Sequence, residues 1–505
     1  MQMDVLMPII IYLGLTFIVG LLAYRYTKNR KQGFKEEYFV GGRQLGPLLL
    51  TFTILASAAS AGTFIGSPGV AYDIGFAWVL VLMSQVGMGV YILGVLGKKF
   101  AIVARKIDAI TLTDFLRARF ESKWIVIGSA IGILIFLGSY MVAQFVGGAL
   151  ILEATTGFPY QAGLLLFGLI VVIYTTIGGF MAVALTDAIQ GIMMIVGGIV
   201  LWIMFIISTG GFPALAGDLV SNYPELVELP GPGGISSALL MSYFLLFGIA
   251  AIGLPHASVR GMAFNNTKTM HRSMMFGGIV MFLFSIFFAT LGPFVRLLYP
   301  DIENADMALP TLILNIMPGW VAGLVLAAPL AAVMSTVSSM LLVTSSTVVK
   351  DIYLNYVRPN AAERSVARLS YFSTLAIGIV VVLFSLTPPE YLQFVVIYAI
   401  GGLEATFFSC IVFGLYWKRA NKWGAIASMY GGLISYIVLE VLFRNPFGMH
   451  SIATATAFSV LCMIVVSYLT PKPSTQLIRR FWGKGGVHAE LVTAQKEGSL
   501  DVSVG

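Results

Sequence analysis

Long apolar stretches recur along the whole chain, and short polar segments separate them. A helix that crosses a hydrocarbon core of about 30 Å needs roughly 20 mostly apolar residues. Thirteen stretches approach or exceed this length: 4–24, 46–72, 75–97, 124–152, 159–178, 182–208, 236–259, 273–296, 311–343, 367–386, 389–416, 423–443 and 450–470. The pattern therefore predicts an all-α polytopic membrane protein with about 13 transmembrane helices.

Composition narrows the class of protein further. Of the 505 residues, 58% are hydrophobic and only 10% are charged, whereas soluble domains usually carry about 25% charged residues. These values exclude a soluble enzyme, a DNA-binding protein and a secreted disulfide scaffold. The net charge of +7 still leaves two explanations, a nucleic-acid partner or basic cytoplasmic loops.

The positions of the basic residues favour cytoplasmic loops. With the N-terminus outside, 28 of the 30 Lys and Arg residues fall in predicted cytoplasmic segments, namely 25–45, 98–123, 260–272, 347–368, 417–422 and 471–505. Cytoplasmic loops of membrane proteins carry such an excess of Lys and Arg. We therefore expect the N-terminus outside, the C-terminus in the cytoplasm and no nucleic-acid partner.

Two of the predicted spans contain helix-breaking segments. Span two holds a run of small residues over 56–69 that ends in Pro68 and Gly69, and span seven holds Gly253 and Pro255. Small residues also serve close helix packing, which is the alternative explanation. The two spans lie five apart, so they would open two five-helix units of inverted topology. Interruptions at corresponding positions of inverted halves indicate a transporter's binding site near the midplane.

Ionisable residues within the spans are few. Asp187 in span six and Glu404 in span eleven are candidates for function, although Asp187 could cap a helix and Glu404 could form a structural hydrogen bond. Span nine carries hydroxyl groups over 335–347, which in membrane helices often bond only to a carbonyl one turn back. The four His residues are scattered. We expect neither a metal cofactor nor enzymatic activity.

At this point the sequence resembles the sodium:solute symporter family. The matching segments are FIGSPG at 64–69, YTTIGGFMA at 174–182 with Thr186 and Asp187, GLPH at 253–256 with Arg260, AAVMST at 331–336, and GLYWKR at 414–419 with Gly424 and Ala425. They follow the family order and extend over residues 53–432. The resemblance implies a LeuT-like inverted repeat of five plus five helices at about 46–416, with one extra helix before it and two after it.

The resemblance also divides the chain. It implies a transmembrane symporter domain over 1–470 in the cytoplasmic (inner) membrane, followed by a cytoplasmic tail over 471–505. The tail is rich in Gly, Lys and Ser and is expected to be mobile.

The family's sodium site carries over by motif to five oxygen atoms. It implies the backbone carbonyls of Ala56, Ala59 and Ala332 and the hydroxyl groups of Ser335 and Thr336. Asp187 would be an outer partner of the ion. Some family members have an acidic or amide side chain where this chain has Ala58, so a side-chain role at that position is in doubt.

Segments such as GKKFAI at 97–102, QFVGGA at 144–149 and GGLEA at 401–405 resemble most closely those family members that carry pantothenate. The expected solute is therefore pantothenate or a similar small organic anion, taken up together with sodium. The expected contacts are Thr63, Ser67 and Gln144, and the candidates for gating or structural roles are Pro68, Gly253, Pro255, Arg260 and Glu404. The alternatives are a symporter for another small carboxylate or an amino acid such as proline and, in another class, a transporter-like sensor or a membrane enzyme.

Overall fold

The computed structural model describes residues 3–28, 38, 52, 56, 59–87, 98–107, 109, 111–232, 235–256 and 267–482, and this part of the chain is built from helices and short connections. The helices are α1 (Met3–Lys28), α2 (Ser67–Ile74), α3 (Phe76–Met83), α4 (Lys98–Lys106), α5 (Leu112–Phe120), α6 (Lys123–Thr156), α7 (Tyr160–Phe180), α8 (Ala182–Thr209), α9 (Phe212–Asn222), α10 (Pro224–Val227), α11 (Ser237–Gly253), α12 (Thr267–Leu298), α13 (Ala308–Ile316), α14 (Gly319–Val357), α15 (Glu363–Phe384), α16 (Leu392–Tyr416), α17 (Lys422–Phe443), α18 (Ser451–Leu469) and α19 (Thr475–Trp482).

Ten helices of the described part are long and apolar enough to cross a membrane: α1, α6, α7, α8, α12, α14, α15, α16, α17 and α18. They correspond to ten of the thirteen predicted spans. The predicted spans 46–72, 75–97 and 236–259 include residues outside the described part. The total of thirteen therefore stays a prediction, whereas the all-helical membrane fold is confirmed.

Span nine does not begin where the apolar pattern placed it. The predicted stretch 311–343 is divided by Met317 and Pro318, so that α13 ends at Ile316 and α14 begins at Gly319. Met317 is extended, with ψ 147°, because a residue before proline is kept out of the helical region. Apolar character continues through this corner, and hydropathy alone does not reveal it.

Helices α7 and α8 meet at a single glycine. Gly179 has φ 62° and ψ −166°, which interrupts the helical backbone between the two spans. A Cβ at this position would also lie 2.7 Å from Cδ2 of Tyr38. Both the positive φ and the crowding require glycine here.

Helix α14 lies at the centre of the bundle. In the most apolar 18-residue stretch of α14, 89% is buried inside the protein, compared with 33% in the corresponding stretch of α8. It packs against α1, α6, α8 and α15, and its small residues allow close approach, as where Gly323 contacts the backbone of Val5. Close van der Waals packing of this kind drives helix association in lipid. Helices α17 and α18 pack against each other and against α16, outside this centre.

Three segments of predicted cytoplasmic location contact one another. Arg119 of α5 is fully buried, and its guanidinium donates to the carbonyls of Gly414 (2.9 Å), Ala420 (3.0 Å) and Trp417 (3.1 Å). The ring of Trp482, in α19, lies 4.9 Å from the same guanidinium. The first part of the tail is thus a helix that packs on the transmembrane bundle, and residues 483–505 lie outside the described part.

Candidate functional site

The polypeptide of span two leaves the helical conformation at Ala59 and Ser60, which we call the helix-two break. The freed amides after the break have side-chain partners. Oε1 of Gln144 accepts from the amide of Ala61 at 2.8 Å, and the hydroxyl oxygen of Ser60 accepts from the amide of Gly62 at 3.1 Å. These contacts meet the requirement that non-helical backbone at membrane depth be satisfied by protein.

The helix-two break lies inside the run 56–69 where the sequence predicts an interruption, near the start of that run. Pro68 and Gly69, at its end, do not interrupt the helix, because both lie in α2, with Pro68 in its first turn. Proline is tolerated there because it lacks only an amide that the helix does not use. A widened π-helical turn, Gly62–Gly66, connects the break to α2.

The five predicted sodium ligands come together between the helix-two break and α14; we call them the oxygen cluster. The hydroxyl group of Ser335 donates to the carbonyl of Ala56 at 2.6 Å and lies 2.9 Å from the carbonyl of Ala332. The hydroxyl group of Thr336 lies 2.9 Å from the carbonyl of Ala59 and 2.8 Å from that of Ala332. All five residues are buried. The cluster thus joins two helices that are far apart in sequence.

Some other hydroxyl groups of α14 bond only to a carbonyl about one turn back, which is the alternative that the sequence left open. Thr344 and Ser346 donate to the carbonyls of Met340 and Val343, one turn back in the same helix. The hydroxyl groups of Ser335 and Thr336, in contrast, also reach across to the carbonyls of Ala56 and Ala59. The oxygen cluster is therefore distinct from the ordinary back-bonding of membrane helices.

Asp187 is fully buried in α8 and lies beside the hydroxyl groups of Tyr12 and Tyr174. The Tyr174 hydroxyl donates to the carbonyl of Met334 at 3.3 Å. Met334 directly precedes Ser335. Asp187 is thus connected to the neighbourhood of the oxygen cluster through these tyrosines.

The three predicted solute contacts lie around the helix-two break. Thr63 is in the π-helical turn, Ser67 begins α2, and both are buried. Gln144 caps Ala61 through Oε1, and its Nε2 has no hydrogen-bond partner among the described residues. This nitrogen is a donor available beside the break.

Gln393 was missed by the sequence reasoning. It is 3% exposed near the start of α16, and its Oε1 has no hydrogen-bond partner in the described part of the chain. It packs on the π-helical turn, because Cβ atoms at Gly62 and Gly66 would lie 2.7 Å and 2.8 Å from this oxygen. A single polar residue at the edge of an apolar stretch resembles an ordinary span boundary, which is why it was not singled out.

Span seven also loses its helical conformation within the segment where the sequence predicts an interruption. Helix α11 tightens into a 3₁₀ turn that ends at Gly253, and Leu254 is extended with φ −80° and ψ 114°. We call this point the helix-seven break. A Cβ on Gly253 would lie 2.8 Å from Cα of Glu404, so α16 passes directly against the break. Pro255 follows immediately, whereas Arg260 lies outside the described residues.

No three His, Cys, Asp or Glu residues of the described part gather as they would to hold a metal ion. The candidate site is made instead of carbonyls, hydroxyls, two glutamines and isolated carboxyl groups. Such oxygen-rich, weakly charged surroundings suit a monovalent cation that must bind and also leave.

The comparisons with known proteins name the family to which this helical membrane fold belongs. The sodium:solute symporter family matches residues 38–432. The chain belongs to the sodium:solute symporter family, whose members are transporters.

Relatives that are similar over nearly the whole chain carry more specific names. The chain is 40% identical over 92% of its length to the sodium/pantothenate symporter of Haemophilus influenzae, of which it covers 96%. It is 39% identical to the sodium/pantothenate symporter of Escherichia coli, again over 92% of the chain and 96% of that protein. Identity to the sodium/proline symporter of Escherichia coli is 29%, over 93% of the chain and 94% of the relative.

Solved structures support the fold. The structure of a Na⁺-coupled sialic acid symporter in an outward-open state matches with a TM-score of 0.78 at 19% identity, over 93% of this chain and 99% of that one. A nucleobase-cation-symport-1 family transporter in a closed conformation matches with a TM-score of 0.55 at 16% identity, over 88% and 97%. The predicted LeuT-like fold class is confirmed, while the assignment of individual residues to the sodium and solute sites stays a prediction.

Proposed function

We propose that this chain takes up pantothenate together with sodium across the cytoplasmic membrane by alternating access, with the N-terminus outside. The support for the solute is the 40% and 39% identity to two sodium/pantothenate symporters, against 29% to a proline symporter. The observation that carries the mechanism is the oxygen cluster, in which Ser335 and Thr336 reach the carbonyls of Ala56 and Ala59.

Sodium, as cargo, binds to the oxygen cluster. When the ion arrives, the two hydroxyl groups rotate, so that their oxygens face the ion while their hydrogens turn away from the carbonyls of Ala56 and Ala59. The ion then holds the helix-two break against α14 more strongly than two hydrogen bonds do, because it is a full charge in a buried site. Asp187 contributes a negative field nearby.

Ion binding fixes the position of the helix-two break, and this is how sodium raises the affinity for the solute. Thr63, Ser67 and the free Nε2 of Gln144 follow the break in space, so an ordered break presents them in one geometry. A carboxylate accepts from such hydroxyl and amide donors. By thermodynamic linkage the solute must raise the affinity for sodium by the same factor.

The experiment is uptake into proteoliposomes that contain the purified chain. Labelled pantothenate should accumulate when sodium is high outside, and should not when potassium replaces sodium. An excess of unlabelled pantothenate should abolish the signal, whereas proline should not. Competition by proline at concentrations equal to those of pantothenate would instead support the proline alternative, and accumulation without sodium would refute symport.

A further inference from the structure

Glu404 is the most unusual polar side chain of the described core. It is fully buried in the middle of α16, and among the described residues neither carboxyl oxygen has a hydrogen-bond partner and no ion pair includes it. Burying a carboxyl group in such surroundings without partners is energetically unfavourable. A side chain held at this cost is a candidate for a ligand contact.

Its neighbours place it between the two interrupted helices. The backbone of Glu404 lies against Gly253, at the helix-seven break. The hydroxyl group of Tyr140, on α6, is hydrogen-bonded to Ser60 of the helix-two break and interacts electrostatically with Glu404. The carboxyl group is therefore in the region where the inverted-repeat architecture forms its solute site.

Hydrogen-bond acceptors and donors are unevenly distributed between the two breaks. A helix leaves its last four carbonyl groups without intrahelical partners, and α11 ends at Gly253, directly against Glu404. Carbonyls and a carboxyl group accept hydrogen bonds. The helix-two break, in contrast, offers the donor Nε2 of Gln144. A solute with an acceptor at one end and donors at the other matches this division.

A cation is a poorer match for Glu404 than hydroxyl donors are. Hard cations are held by several oxygen ligands at once, and the oxygen cluster already supplies such a set between the helix-two break and α14. Among the described residues, neither a carboxylate nor a hydroxyl group is hydrogen-bonded to Glu404. Hydroxyl groups require only acceptors at hydrogen-bond distance. They would also provide the partners that the carboxyl group lacks.

We propose that Glu404 is the specificity-determining acceptor for the hydroxyl groups of the transported solute. This inference rests on the proposed function, in which pantothenate carries two hydroxyl groups at the end opposite its carboxylate. The hydroxyl groups bind the carboxyl oxygens beside the helix-seven break, and the solute carboxylate binds near Gln144. Analogues without the hydroxyl groups leave the buried carboxyl group without partners and are rejected.

The test compares pantothenate with an analogue in which hydrogen replaces both hydroxyl groups. The variants are Glu404→Gln, which keeps one neutral acceptor, and Glu404→Met, which keeps the length and removes both acceptors. Leaving a buried acceptor without a partner is costly, so the half-saturating concentration of the wild type should be about tenfold or more lower for pantothenate than for the analogue. The preference for pantothenate over the analogue should fall in E404Q and disappear in E404M. The cause should be weaker uptake of pantothenate, while uptake of the analogue stays unchanged.

Matched controls separate this role from a structural one. Glu153→Gln and Glu153→Met make the same changes at the far end of α6, in a half-exposed side chain, and should keep the wild-type preference. Stabilisation by sodium without solute reports folding of each variant, and E404Q decides the question if E404M does not fold. If the wild type takes up pantothenate and the folded Glu404 variants keep the same preference for pantothenate over the analogue, the Glu404 assignment alone is overturned. Wild-type protein that takes up no pantothenate would overturn the proposed function instead.

Discussion

The two interrupted helices differ in how their polar groups are satisfied. At the helix-two break, Gln144 and Ser60 cap the freed amides, and Ser335 and Thr336 bond to the freed carbonyls. At the helix-seven break, the backbone of Glu404 lies against Gly253, and the carboxyl group of this residue has no hydrogen-bond partner among the described residues. The first break is therefore preorganised by the protein itself, which suits an ion site. The helix-seven break has a nearby carboxyl group whose oxygens are not used by the described residues, which suits a solute.

The largest expected effect concerns the preorganised break. In the double variant Ser335→Ala with Thr336→Ala, the cluster loses two of its five oxygens, so the sodium concentration for half-maximal uptake should rise about a hundredfold or more, at 1.5–3 kcal/mol for each charged contact. The measurement is uptake against sodium concentration. The matched control is Ser346→Ala with Thr344→Ala, whose hydroxyl groups bond within α14. Equal sodium dependence of the two doubles would rule out the ion site.

The next effect tests the close approach at the second break. In Gly253→Ala the new Cβ would lie 2.8 Å from Cα of Glu404, and backbone atoms must move apart, at a cost of about 1–3 kcal/mol. We expect uptake to fall about tenfold and the melting temperature to decrease. Gly138→Ala is the control, since a Cβ there meets no atom within 4 Å. A G253A protein as active as G138A would show that this contact does not matter for transport.

A smaller effect is expected from the cap of the first break. Gln144→Leu leaves the amide of Ala61 buried without an acceptor, which costs about 1–3 kcal/mol. The break should lose part of its preorganisation, and the apparent sodium affinity should fall about tenfold. Gln144→Glu retains an acceptor at the same length and should bind sodium more tightly than Q144L. The reverse order in a sodium titration would contradict the capping role.

The smallest effect is expected at the start of α16, where Asp306 bonds to the backbone. Asp306 lies in a short turn outside the spans, where its Oδ2 accepts from the amide of Leu392, the first residue of α16, at 2.9 Å. Burial raises the pKa of Asp306 to about 6. Because the folded protein then binds the proton more tightly than the unfolded chain, the contribution of this group to stability is present below about pH 4 and is lost as the pH rises through about 6.

Asp306→Asn should therefore weaken the dependence of the melting temperature on pH between about 4 and 6. The asparagine keeps an acceptor for Leu392, so a large loss of stability is not expected. The measurement is thermal unfolding of both proteins across this pH range. Identical pH profiles would show that Asp306 does not titrate there.

The sequence anticipated the helical membrane fold well, because membrane spans need about 20 apolar residues whatever their packing. It was less informative about the exact point at which a helix breaks. The small residues over 56–69 permit a break at any point of the run, and the Pro68–Gly69 pair at its end does not mark where the break lies. The break is at Ala59 and Ser60 because Gln144, Ser335 and Thr336 provide partners there, and those contacts join residues far apart in sequence.

The candidate site shows the same limit. Motif resemblance singled out the five residues of the oxygen cluster, and the structure places them side by side. Their role in sodium binding stays a prediction. It gave no indication of Gln393, whose packing on Gly62 and Gly66 depends on how α16 lies across the π-helical turn. The absence of partners around Glu404 likewise becomes visible only when its neighbours on three helices are known.

The burial of Arg119 has a consequence for the order of assembly. Its guanidinium is held by the carbonyls of Gly414, Trp417 and Ala420, but part of its aromatic cover is Trp482, in a helix that follows the last described span along the chain. A nascent chain that has inserted that span still lacks this part of the cover. Docking of α19 is thus the step that completes the bundle, and a chain interrupted before it would be recognisable to proteases as unfinished.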